Sequence, residues 1–208
     1  MHSISTKSLG RYILQSLCGI GLVLSVTTAR ADIIFDDGLT HELTGVHFDN
    51  VILSNRSNLN LGQGAFLHSA TAGPAIRSEY LGATVNLAGN ATVIGGIDFQ
   101  GWGSGGGTTV ATGNSLVIGS LGGGTAVAGM DQVDLNSDAR LIGGYGDTQG
   151  GIAVENSTSG GIYINIAGGL ANGGYGGHTG GAGLGLQGAN EAFHMNMTSG
   201  AIRGGDGG

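Results

Sequence analysis

Gly89-Asn90-Ala91-Thr92-Val93-Ile94-Gly95-Gly96 returns as Gly113-Asn114-Ser115-Leu116-Val117-Ile118-Gly119-Ser120 and again as Ser137-Asp138-Ala139-Arg140-Leu141-Ile142-Gly143-Gly144. The interval is the same both times. A short strand-like segment closed by a glycine turn, repeated at an even ~24-residue period, reads as one coil of a parallel β-helix. The fold class expected is therefore all-β: a right-handed parallel β-helix, a solenoid of ~24-residue coils with glycine-rich inserts.

Side-chain direction follows from the charges. Arg140 must face water, so period-two alternation turns Ala139 and Leu141 inward, and by equivalence Ala91, Val93, Ser115 and Val117. Ile94, Ile118 and Ile142 then fall at a bend beside glycines. Val85-Asn86-Leu87 and Val133-Asp134-Leu135 occupy matching places in their coils. For the next coil, a 24-residue step would bury Tyr163 and Asn165. A 25-residue step instead buries Ile162, Ile164 and Ile166 and aligns Gly168-Gly169 with Gly143-Gly144. Because a one-residue slip reverses every side chain, the 25-residue step is preferred.

Three segments are expected. Residues 1–31 read as an export signal: Lys7 and Arg11 precede an apolar run from Tyr12 to Val26, and Ala29-Arg30-Ala31 offers a small-x-small cleavage site. The run is shorter than the ~20 residues of a membrane span, and Gln15-Ser16-Leu17 lacks the small residues that precede a lipidated cysteine. Residues 32–80 read as an N-terminal cap with irregular first coils, covering strand edges that would otherwise recruit other chains. Residues 81–208 hold the repeats, and the mid-motif ending Gly204-Gly205-Asp206-Gly207-Gly208 suggests truncation at the C-terminus.

Beyond residue 31 there is no Lys and no Cys, and four arginines face all fourteen carboxylates, a formal charge of −10. Nucleic acid, which needs clustered cations, is excluded as a partner. Anionic lipid is disfavoured for the same reason, and no membrane insertion of the mature part is expected. Without disulfides, packing and backbone ladders must hold an exported chain together. The 46 glycines punctuate apolar runs rather than forming a linker, and the absence of a three-residue period excludes collagen.

No catalytic, cofactor-binding or metal-ligating residue is assigned. The glycine inserts Gly143–Gly151 and Gly173–Gly181 echo each other, but Asp147 arrives one place early for a calcium roll and His178 occupies the corresponding place in the second copy. Gly101-Trp102-Gly103-Ser104-Gly105-Gly106 fits a dinucleotide fingerprint only by its glycine content. The carboxylates open to polysaccharide chemistry are Asp98, Asp131, Asp134, Asp138, Asp147 and Glu155. Asp134 and Asp138 are matched by Asn86 and Asn90, so no carboxylate ladder is expected there, and turn-forming Asx residues are the simpler account. His41, His47, His68, His178 and His194 lack metal-ligand spacing. Trp102 and Tyr145 are expected to plug the coil rather than to present rings to a ligand. Asn55, Asn90, Asn156 and Asn196 match the N-glycosylation pattern, which matters only in a host with that machinery.

The signal, the Asp-rich start, the cysteine-free body and the Gly-Gly-x-Gly inserts resemble bacterial autotransporter passenger domains and exported β-helical proteins with a PEP-CTERM anchor. That resemblance implies an exported protein at the cell surface, the outer membrane or outside the cell. It implies an adhesive or structural role, with a host or matrix glycan or protein as partner. The function expected is a non-enzymatic surface scaffold. The alternatives are a carbohydrate-active β-helix, acting as a polysaccharide lyase or hydrolase, and a nonfunctional gene fragment.

Overall fold

A computed structural model describes residues 32–80, 82–99, 106–156, 162–176, 185–188 and 193–206. Residues 1–31, read above as an export signal, Trp102 with its glycines, and His178 lie outside the described residues. The chain is all-β, and the described residues contain no helix.

Strands arrive in repeating circuits of three. The first holds β1 (Ile33–Phe35), β2 (Thr40–Leu43) and β3 (Val46–His47). The second holds β4 (Val51–Leu53), β5 (Asn58–Leu61) and β6 (Phe66–His68). Then come β7 (Ile76–Ser78), β8 (Thr84–Leu87) and β9 (Thr92–Gly95), followed by β10 (Ile97–Phe99), β11 (Gly107–Ala111) and β12 (Leu116–Gly119). The fifth circuit is β13 (Val127–Ala128), β14 (Met130–Asn136) and β15 (Arg140–Ile142). In the last two circuits the second and third strands fuse: β16 (Val154–Asn156) leads to β17 (Ile162–Asn172), and β18 (Leu186–Gly188) to β19 (Phe193–Arg203).

Every strand pairs in parallel with its counterpart one circuit away. The first strands of the circuits form a seven-stranded sheet, called row A here. The second strands (row B) and third strands (row C) belong to one twelve-stranded sheet, joined where β17 and β19 run through both. Residues 32–80 thus already supply seven strands to these sheets.

Alternation sends one column of each row into a shared core. In row C it is Leu67–Val93–Val117–Leu141–Ala171, all fully buried. Row B contributes Leu61–Leu87–Ala111–Leu135–Ile166, and row A contributes Val51–Ile76–Ile97–Val127–Val154. Each buried Leu, Ile or Val contributes about 1.5–3 kcal/mol by leaving water, so stacked aliphatic columns replace the absent disulfides. The inward assignments of Ala91, Val93, Ser115, Val117, Ala139 and Leu141 hold, and Arg140 is exposed. Among the described residues five polar side chains are buried, Ser57, Ser69, Ser78, Thr109 and Ser115, and the hydroxyls of Thr109 and Ser115 find no partner.

A left-handed residue marks each turn from row B to row C. It is Gly45 (φ 80°), Gly64 (72°), Gly89 (30°), Gly113 (64°), Ser137 (59°), Gly168 (102°) and Gly200 (100°). An L side chain in that region costs roughly 1–2 kcal/mol, so the repeat keeps glycine there and Ser137 is the strained exception. Ser137→Gly is expected to stabilise the chain by about 0.5–1 kcal/mol, the relief of strain less the entropy glycine adds to the unfolded state. Chemical denaturation would detect it as a higher midpoint, and a lower midpoint would refute it.

The 25-residue step is corrected. Ile162, Ile164 and Ile166 are buried, and Tyr163 is exposed, as the inward assignment required. However, Ile164 stacks on Val133 and Ile166 on Leu135, in the same register that sets Asn165 beside Asp134. Gly143-Gly144 is matched by Gly173-Gly174, as the pairs Ile142–Asn172 and Gly146–Gly176 fix, while Gly168 turns β17 from row B into row C. The physical reason is the glycine insert, which lengthens the circuit. Its loop leaves at Tyr145 and returns at Gly151, wedged between neighbouring circuits. Gly144 N–H donates to the Gly124 carbonyl (2.7 Å), Gly151 N–H to Gly144 (2.8 Å) and Gly174 N–H to Gly151 (2.8 Å). The constant coil length therefore covers only the middle circuits, from β8 to β15.

Candidate functional site

The outward columns divide into three surfaces of different chemistry. On row B they are polar apart from Val110: Asn60–Asn86–Val110–Asp134–Asn165–Asn196 runs along the sheet. Asn86 Nδ2 donates to Asn60 Oδ1 at 2.8 Å, and Asn165 Nδ2 and Gln132 Nε2 both donate to the Asp134 carboxylate, at 2.6 and 2.8 Å. Asp134 is thus held as a rung of an amide ladder, which stabilises the sheet and leaves little of the carboxylate for chemistry.

Row A carries charge. Its outward column reads Ile52–Arg77–Asp98–Ala128–Glu155–Gln187. Arg77 is ion-paired with Glu79. Ala128, the small residue between Asp98 and Glu155, leaves a cleft of about 180 Å³ walled by both carboxylates, Pro74, Ser120 and Thr125. Thr125 Oγ1 donates to Glu155 Oε2 at 2.9 Å and fixes that side chain. Asp98 and Glu155 stand two strands apart, roughly 10 Å backbone to backbone.

The corner after row C is aromatic. Leu121 follows Gly119-Ser120, and Tyr145 and Tyr175 follow the glycine pairs of the next two circuits; the three are 78%, 45% and 42% exposed. The two tyrosine rings stack at 5.6 Å with 16° between planes. Partial loss of water around Tyr145, and after it the Asp147 carboxylate that its hydroxyl bonds, raise that phenol's pKa above the ordinary value. The ring therefore stays neutral across physiological pH and donates to Asp147. The structure does not place it as a plug: the ring is exposed and stacked on Tyr175.

The site residues weighed from sequence thus separate. Asp98 and Glu155 come together in one cleft, whereas Asp134 joins the amide ladder. Asp131 and Asp138 lie on neither the cleft nor the aromatic corner. Among the described residues no three His, Cys, Asp or Glu side chains converge as a metal site. His41 is bound to Asp37 Oδ1 at 2.7 Å and stacked on Phe35, His47 bonds the Thr44 carbonyl at 2.7 Å, and His194 stacks on Tyr163. Tyr175 is the candidate that sequence reading passed over. The signal for it was the recurrence of Gly-Gly-Tyr-Gly at Gly143–Gly146 and Gly173–Gly176. No family model, curated protein or solved structure matches the chain.

Proposed function

We propose that the chain is a right-handed parallel β-helix, exported as a non-catalytic surface or extracellular scaffold in the style of autotransporter passengers and PEP-CTERM-anchored proteins. The observation that carries this reading is the stacked Tyr145–Tyr175 pair. Two rigid amphipathic rings are held outward by glycine corners, beside an acceptor at Asp147. Aromatic side chains so placed supply contact area at little entropic cost, and their carriers are the circuits themselves. The partner class is a host or matrix glycan, or a protein bearing one.

Binding of the purified protein to an immobilised glycan panel tests it. A Tyr145→Ala/Tyr175→Ala double variant is expected to lose at least tenfold in affinity, about 1.4 kcal/mol, with an unchanged melt. Equal binding by that variant would remove the corner from the reading.

A second reading, polysaccharide cleavage, is favoured by the shared Asp98–Glu155 cleft alone. The same incubation separates the two. Retention of the glycan without new reducing or unsaturated ends supports the scaffold. Release of such ends, abolished by Asp98→Asn, would install the enzyme.

A further inference from the structure

We propose that the outer face of row C is the surface by which two copies of this chain pair. In a sheet with one face to water, strands alternate apolar and polar, whereas continuous apolar runs mark strands covered on both sides. Row B alternates. Row C does not: Val93-Ile94, Leu116-Val117-Ile118 and Leu141-Ile142 are apolar on both faces. Phe66, Ile94, Leu116, Ile118, Ile142 and Leu170 all point outward there and are half-buried.

The charge pattern selects the occupant. Residues 32–208 carry fourteen carboxylates, yet none stands among the outward residues of row C in the described structure. Two of their four arginines do, Arg140 and Arg203, both exposed. Net negative charge makes two copies repel, and this face is where they can approach without opposing carboxylates.

Symmetry then matches the two halves of the face. Row C has seven strands with β12 in the middle. A twofold axis lying in the interface plane and running along β12 lays β15 over β9, the row C half of β17 over β6, and that of β19 over β3. The half bearing Arg140 and Arg203 thereby meets the half bearing Phe48, Phe66 and His68, whose rings cluster within 6.5 Å of one another. A guanidinium over an aromatic face is attractive, and no cation meets its own copy.

Shape agrees with this. Strand ridges repeat every ~4.8 Å, and a second copy presents the same repeat across the whole face. Seven strands span about 30 Å, and with the Leu121 corner the face is ~20 Å wide, so a pair would cover roughly 1,200 Å², the lower end of stable interfaces. A two-sided interface of this kind closes as a dimer and does not propagate.

Cysteine trapping tests the proposal, because Cys18 is the chain's only thiol. In a Cys18→Ser background, Ile118→Cys places a thiol beside the proposed axis and Asn86→Cys places one on row B. Under mild oxidation Ile118→Cys is expected to run at twice the monomer mass on a non-reducing gel, while Asn86→Cys stays monomeric. The parent protein should sediment as a dimer that Ile118→Asp disperses at unchanged circular dichroism. Monomer at every concentration, or equal cross-linking from row B, overturns it. So would a monomer that uses this face to hold a glycan or a vesicle.

Discussion

Gly144→Ala is expected to destabilise the chain by about 4 kcal/mol or more, the range in which a single substitution points to one identifiable cause. For a chain of this size that lowers the melting temperature by roughly 10 °C. A Cβ on Gly144 would overlap the Ser120 carbonyl oxygen and lie 2.9 Å from the Gly119 carbonyl carbon and oxygen. Those are backbone atoms of the adjacent circuit and cannot rotate aside. Nor can Gly144 move alone, because its N–H is bonded to Gly124 and its carbonyl to Gly151. Opening the spine would strand buried donors and acceptors, each costing about 1–3 kcal/mol. Gly73→Ala is the control: it has an ordinary φ and only the Thr71 hydroxyl at 3.4 Å. Thermal melts of both should separate widely. If Gly144→Ala melted with Gly73→Ala, the interleaved spine would not exist as described.

That spine explains how much could be read beforehand. Where the glycine loop is short, circuits repeat at an even length, and Gly89, Gly113 and Ser137 announce the same corner. The inward residues of β9, β12 and β15 were legible there. Row A was not, because its strands are very short and its inward column, Ile33, Val51, Ile76, Ile97, Val127, Val154 and Leu186, keeps no constant interval. Asp98 and Glu155, which belong to circuits separated by a whole turn of the chain, therefore could not be seen to share a cleft. The register of β17 was misread for a different reason. The echo between the two Gly-Gly-Tyr-Gly inserts carried the true period, but it competed with isoleucines that fit a 25-residue step just as well. Inward isoleucines fix the parity of a strand and not which strand lies beneath it. Tyr145 was misplaced because its neighbours in sequence are glycines, which give no alternation to tell whether the ring turns inward or outward.

Val117→Asp puts the alternation of row C to its hardest test, since Leu116-Val117-Ile118 offers no polar residue to set the phase. Val117 is fully buried between Val93 and Leu141. A carboxylate there would be buried among aliphatic side chains with no counter-charge, so it would hold its proton well above the ordinary carboxyl range. The expected loss at neutral pH is about 4 kcal/mol. Because the folded pKa would exceed the unfolded one, the penalty added by ionisation should vanish below about pH 3.9 and grow as pH rises above it. Melts of Val117→Asp and the parent protein should therefore differ most near neutral pH and converge as pH falls below that value. They would not meet, because loss of packing remains. Ile118→Asp, one residue further, faces outward and should change the melt by no more than about 0.5 kcal/mol of stability, the ordinary range for surface substitutions. Its effect would fall on association instead. Equal losses from the two variants would mean that row C is covered on both sides within a single chain. A larger loss from Ile118→Asp would mean that the strand is turned over, and every inward column built on it with it.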